Sequence, residues 1–251
     1  MNPVLREQLA LDYCCAPEEA EDGRNHFCVF SPQPGRRRFQ EDLPCHLKAA
    51  VVNGKLLFTG EEDILRWCRA RYGDEGGAWF LEAENLRVLE RRLGEDGYRI
   101  RSAHPFFLGE RVTEAPPVPA GLALRWFEGP EIEAFRGDGR FDEAFAFCPE
   151  APDLLGLAAL RDGEFLGMAG ASCDSPLMWQ IGVNVESSAR GRGLGTLLVC
   201  RLKNELLRRG VLPFYGTSPS HLASQRVALG AGFVPAWAEL ITGRDAGDKN
   251  E

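Results

Sequence analysis

Residues 178–210 read MWQIGVNVESSARGRGLGTLLVCRLKNELLRRG, and their reading decides the fold. Trp179, Ile181, Val183 and Val185 are apolar, while Gln180, Gly182 and Asn184 stand between them. Period-two alternation predicts a strand with one packed face. Leu194, Leu198, Leu202 and Leu206 then recur every fourth residue with Leu197 beside them, which predicts an amphipathic helix. Gly210 stops it, with Arg208 and Arg209 in its last turn. Between strand and helix stands Arg190-Gly191-Arg192-Gly193-Leu194-Gly195. Glycines let backbone N–H groups approach phosphate oxygens, a helix start adds partial positive charge, and guanidinium groups add full charge.

The spacing separates this loop from other phosphate loops. No Gly-Lys-Ser/Thr follows, and the G-x-G-x-x-G pattern is absent. The motif is Arg-x-x-Gly-x-Gly, and it resembles the pyrophosphate-binding loop of the GNAT (Gcn5-related) N-acetyltransferases. The surrounding order agrees with that likeness, with a hairpin before and a strand, a helix and Gly232-Phe233 after. The resemblance spans roughly residues 121–243. The wider pattern MWQIGVNV, RGRGLGTLLV and PFYGTSPSHLASQRVALGAGFVPAWAE looks like a bacterial GNAT subgroup of two-part proteins. The fold class so implied is α/β, a mixed GNAT-like sheet flanked by helices in the C-terminal half, with an N-terminal α+β module.

At 251 residues the chain has room for one large or two modest domains. The net charge of −8 argues against a general nucleic-acid binder. From 186 to 210 basic side chains outnumber acidic ones six to two, a local reversal that suits an anionic ligand. MNPVLREQLALDYCC lacks the apolar core of a signal peptide, and no apolar run is long enough to span a membrane. A cytoplasmic protein is the expectation, with no membrane partner. The eight cysteines form no C-x-x-C pair, so no metal site is predicted.

APPVPAG at 115–121 reads as a stiff linker between a module at 1–114 and an acyl-CoA-binding catalytic domain at 122–243, with a polar tail at 244–251. In the module, Asn25–Ser31 predicts a strand, and Arg36 to Arg38 read as a solvated turn. Leu47–Val52, Asn53-Gly54 and Lys55–Thr59 predict a type I′ hairpin. Thr59 and Glu62 suggest a capping box for a helix to Tyr72. A short strand at 78–81 and a helix from Glu82 to Leu93, ended by Gly94, follow. Further on, short helices are expected at 130–135 and 141–147. A second hairpin turns at Asp162-Gly163, with a strand at 211–217, a helix at 220–229 and a last strand at 233–241. The module is expected to wall the acceptor side of a cleft.

The resemblance implies acetyl-CoA as donor and co-substrate, and a small-molecule or peptide amine as acceptor. A homodimer is an option. Backbone groups at Val183, Asn184 and Val185 would hold pantetheine and thioester, and Arg190, Gly191, Arg192, Gly193, Leu194, Gly195 and Thr196 the pyrophosphate. Acyl transfer needs an amine without its proton, a stabilised oxyanion and a protonated leaving thiolate. Relatives often carry an acidic tyrosine four residues before the Gly-Phe glycine, where this chain has Ala228. Their fourth-strand carboxylate corresponds to Trp179 and Gln180. His221, Tyr215 and Glu186 are the substitute candidates, with His221 and Ser224 also placed to touch cofactor. The alternatives are an acyl-CoA sensor without turnover and an interaction module that kept only the fold.

Overall fold

The computed structural model describes residues 1–37 and 43–245. In chain order its helices are α1 (Pro3–Tyr13), α2 (Pro17–Glu21), α3 (Glu62–Tyr72), α4 (Ala83–Glu95), α5 (Leu194–Arg208) and α6 (Leu222–Gly230). Its strands are β1 (His26–Val29), β2 (Leu47–Val52), β3 (Lys55–Gly60), β4 (Tyr98–Leu108), β5 (Ala123–Glu128), β6 (Asp153–Arg161), β7 (Glu164–Ser172), β8 (Met178–Val185), β9 (Leu212–Gly216) and β10 (Val234–Arg244). Both halves mix helices and strands. Two compact units emerge, Met1–Phe106 with Ala236–Glu251, and Phe107–Pro235. Residues 115–121 lie inside the second unit, and most of β10 belongs to the first. The reason is pairing: Trp237 to Ile241 run antiparallel to Val52 to Lys48 of β2.

In the first unit the strand order is β1-β3-β2-β10-β4. Asn2 starts α1, its Oδ1 accepting from Val4 N at 2.9 Å with Pro3 at the first helical position, and Cys14 ends it at φ 55°. Asn53 at φ 50° and Gly54 at φ 77° make the expected I′ turn between β2 and β3. Phe58, Tyr72, Phe80, Leu89 and Leu93 fill one core. Three local expectations change here. Thr59 lies within β3 opposite Lys48, so the N-cap of α3 is Glu61, without a side-chain cap bond. The stretch at 78–81 holds a 3₁₀ turn, Gly77–Trp79, and no strand. Helix α4 runs through Gly94, and the left-handed residue that ends it is Gly97 at φ 76°.

Around Arg37 buried charge is paired. Arg37 Nε donates to Asp12 Oδ2 at 2.6 Å and Arg37 Nη2 to Glu239 Oε1 at 2.5 Å, with all three side chains at most 1% exposed. Burial disfavours the Arg37 charge, but Asp12 and Glu239 outweigh it and hold the pKa above the ordinary arginine value. His46 sits between Glu61 and Asp96 at 2.9 and 3.3 Å and stacks on Tyr98. Arg38 and residues 246–251 of the polar tail lie outside the described residues.

In the second unit the order is β9-β8-β7-β6-β5. Asp162 at φ 52° and Gly163 at φ 86° turn β6 into β7 as the Asp-Gly pair predicts. Helix α5 lays Leu194, Leu197, Leu198, Leu202 and Leu206 against Leu155, Leu157, Ala169 and Ile181. The expected helices at 130–135 and 141–147 are 3₁₀ turns, Gly129–Phe135 and Gly139–Phe141, followed by irregular chain. Gly129, Gly137 and Phe147 all take positive φ, which breaks an α-helical run there. Phe141 and Phe145 are buried with Phe127 and Phe135. Strand β9 covers 212–216, and α6 begins at Leu222.

Candidate functional site

The second unit contains an opening in its sheet. Strand β8 runs parallel to β9 for three pairs, Met178 with Leu212, Trp179 with Pro213 and Gln180 with Phe214. Beyond them β8 continues to Val185 bound only to β7. Ile181 to Val185 therefore present a strand edge without a β9 partner. An unpaired edge inside a folded unit can hydrogen-bond an extended ligand as a strand would. Val183, Asn184 and Val185, assigned to pantetheine from sequence, lie along it.

The edge leads into the glycine loop. Gly191 at φ 74° and Gly193 at φ 77° occupy left-handed backbone that favours glycine, and Gly193 is the N-cap of α5. The first bond of α5 runs from Leu197 N to Gly193 O at 3.0 Å. Among the described residues the amides of 191–196 donate to nothing. Six free amides at the start of a 15-residue helix form a cradle for an anion. Arg192 is exposed and free of ion pairs among the described residues, whereas Arg190 Nε is turned back onto Val185 O at 2.9 Å. Leu194 and Gly195 have packing roles: Leu194 is in the core, and a Cβ on Gly195 would stand 3.2 Å from Val227 of α6. Thr196 packs on Gly230 of the same helix. A separate cavity of 330 Å³ lies on one flank of the loop, with Arg161 and Arg192 among its lining residues.

The proposed proton-transfer residues stand on three different elements: Tyr215 on β9, His221 at the start of α6 and Glu186 after β8. Tyr215 is 3% exposed, and its hydroxyl lies 2.9 Å from Ser224 Oγ. Burial raises its pKa, the Ser224 hydrogen bond works the other way, and the Glu143 charge adds to the rise. The Tyr215 hydroxyl and Ser224 Oγ thus form one hydrogen-bonded pair between β9 and α6. His221 is exposed at the N-cap of α6 and caps it with no side-chain bond. Glu186 follows β8 at the loop end, four residues and about 13 Å along the chain from Gly182. That places it beside the phosphate cradle and away from the start of the opening.

Sequence reading missed the segment Asp142 to Phe145. Asn184 Oδ1 accepts from Glu143 N at 3.0 Å and Ala144 N at 2.7 Å, while its Nδ2 donates to Asp142 Oδ1 at 3.3 Å. The Asn184 side chain thus fixes this segment, and only its backbone is left for a ligand. Close approach explains two glycines. A Cβ on Gly182 would stand 1.8 Å from Glu143 O, and one on Gly170 would stand 2.1 Å from Ala144 O. Lone glycines inside strands signal such an approach, and Gly170 and Gly182 were the available clue. No group of three or more His, Cys, Asp or Glu among the described residues is placed to hold a metal. No described helix is long and apolar enough to cross a membrane.

Residues 122–233 match the family model described as "Acetyltransferase (GNAT) family". No curated protein matches the chain. Solved structures resemble it at low identity. A GCN5-related N-acetyltransferase from Kribbella flavida is 21% identical with a TM-score of 0.47, covering 65% of each chain. A GCN5-related N-acetyltransferase-like protein from Streptococcus suis is 17% identical, with a TM-score of 0.48, 82% of this chain and 88% of its own. An aminoglycoside N-acetyltransferase solved with CoA is 25% identical with a TM-score of 0.37, over 48% of this chain and 93% of its own. By its sequence match, residues 122–233 of this chain are similar to the GNAT family of acetyltransferases.

Proposed function

We propose that the second unit transfers an acetyl group from acetyl-CoA to the primary amine of an acceptor. The observation that carries this reading is the continuity of the unpaired β8 edge, Ile181 to Val185, with the free amides of 191–196. One surface then offers strand-like bonding to the pantetheine amides, and the next offers six donors to the pyrophosphate. The residues present fit that cofactor. A backbone N–H near Val183 is the donor we assign to the developing oxyanion, and the Tyr215–Ser224 hydroxyl pair is assigned to the leaving sulfur. The donor supplies an activated thioester; the chain positions it and disposes of the protons.

A second reading, acyl-CoA binding without transfer, is favoured by Ala228 and by the absence of a carboxylate at Trp179 or Gln180. Calorimetric titration with acetyl-CoA, followed by thiol release over a panel of amines, separates the two. Binding with turnover supports transfer. Binding without turnover supports the sensor, and no binding overturns both.

A further inference from the structure

We propose that Glu143 is the catalytic carboxylate for an ammonium-bearing acceptor, accepting the amine's proton at the start of the β8 opening. This rests on the acyl-transfer reading above and deepens it. Glu143 is held in place by its own backbone. Its N–H donates to Asn184 Oδ1 at 3.0 Å, and its carbonyl lies over Gly182 with no room for a Cβ. Both residues belong to the stretch of β8 that has left β9. Glu143 is thereby anchored beside the opening with its side chain exposed, and its charge reaches the phenol of Tyr215 on the β9 side. Among the described residues the carboxylate makes no ion pair or hydrogen bond, whereas nearby Asp138 is taken by Arg140 at 2.7 Å. The charged and titratable groups around it are Asp142 beside it, Arg140 before it and Tyr215 opposite. With Arg140 offset by Asp138, two adjacent carboxylates and one neutral phenol favour a cationic amine over a neutral or anionic acceptor.

The step balances without any further reactant. The ammonium gives one proton to Glu143, and the freed lone pair attacks the thioester carbon. The C–N bond forms, the C–S bond breaks, and the second amine proton accompanies the leaving thiolate to give amide and free thiol. Glu143 is exposed, so it returns its proton to water. An ordinary carboxylate is a weak base for an ammonium, so most of its effect lies in holding the cation and shortening the proton's path.

The test compares wild type, Glu143→Gln and Glu143→Asp in thiol release from acetyl-CoA. Spermidine, lysine methyl ester and a lysine peptide serve as acceptors across about pH 6 to 10, with calorimetric titration of acetyl-CoA into each protein. Glu143→Gln is expected to bind acetyl-CoA as wild type does and to lose about tenfold or more in kcat/KM. The loss should narrow toward high pH, where the amine is already neutral, and Glu143→Asp should restore part of it. A Glu143→Gln protein with wild-type kcat/KM and pH profile overturns the inference and leaves acyl transfer standing. Wild type that binds acetyl-CoA yet turns over none of these amines also overturns it, and wild type that binds no acetyl-CoA overturns the functional reading itself.

Discussion

The Arg37 cluster of the first unit and the 190–196 loop of the second handle polar groups in opposite ways. Around Arg37 the buried charges meet partners within the same unit, Asp12 on one side and Glu239 on the other. In the loop, six consecutive amides are left without an acceptor among the described residues. Buried polar groups are nearly always satisfied, so a satisfied cluster reads as architecture and an unsatisfied row at a helix start as a place for a ligand.

The largest expected effect breaks the satisfied side. Arg37→Ala leaves two buried carboxylates facing each other and should cost about 3–5 kcal/mol in urea unfolding. A shift below about 1 kcal/mol would show that the cluster is solvated and that the contrast is false. Next comes Gly182→Val, whose side chain must displace the Glu143 carbonyl. It should cost about 1–3 kcal/mol and cut turnover while acetyl-CoA still binds. Asn184→Ala removes the acceptor of two backbone N–H groups and should cost about 1–3 kcal/mol, read from the thermal midpoint.

On the unsatisfied side, Gly193→Val forces a β-branched residue into φ 77° and tilts the cradle. Acetyl-CoA affinity should fall about tenfold, or about 1.4 kcal/mol, with stability lowered by no more than about 1–2 kcal/mol. Unchanged affinity would remove the loop from the site. The smallest effect concerns Lys203, a fully buried lysine that donates to Arg111 O at 2.9 Å and Thr113 Oγ1 at 2.8 Å with no carboxylate partner among the described residues. Burial lowers its pKa, so the folded state sheds the proton before the unfolded state does. Stability from this group therefore rises as pH climbs through the folded value toward about 10.4. Urea midpoints of wild type minus Lys203→Met, at about pH 7.5 and 9.5, should move in favour of wild type at the higher pH.

The sequence alone determined what local backbone chemistry dictates. Alternation from Trp179 to Val185 makes β8, four-residue leucine spacing makes α5, and Gly191 and Gly193 permit the left-handed turns between them. Asn53-Gly54 and Asp162-Gly163 set two hairpins for the same reason. Thr59 shows the limit: a capping pattern was present, but pairing with Lys48 carried the strand past it. Only tertiary structure decided where β8 leaves β9, that β10 joins β2 across about 190 residues of chain, and that Asn184 holds Asp142 to Ala144. Those outcomes depend on which backbones approach each other across long loops, and period, propensity and motif carry no such information. Glu143 belongs with them, since nothing in its neighbours in sequence marks it until Gly182 admits its carbonyl.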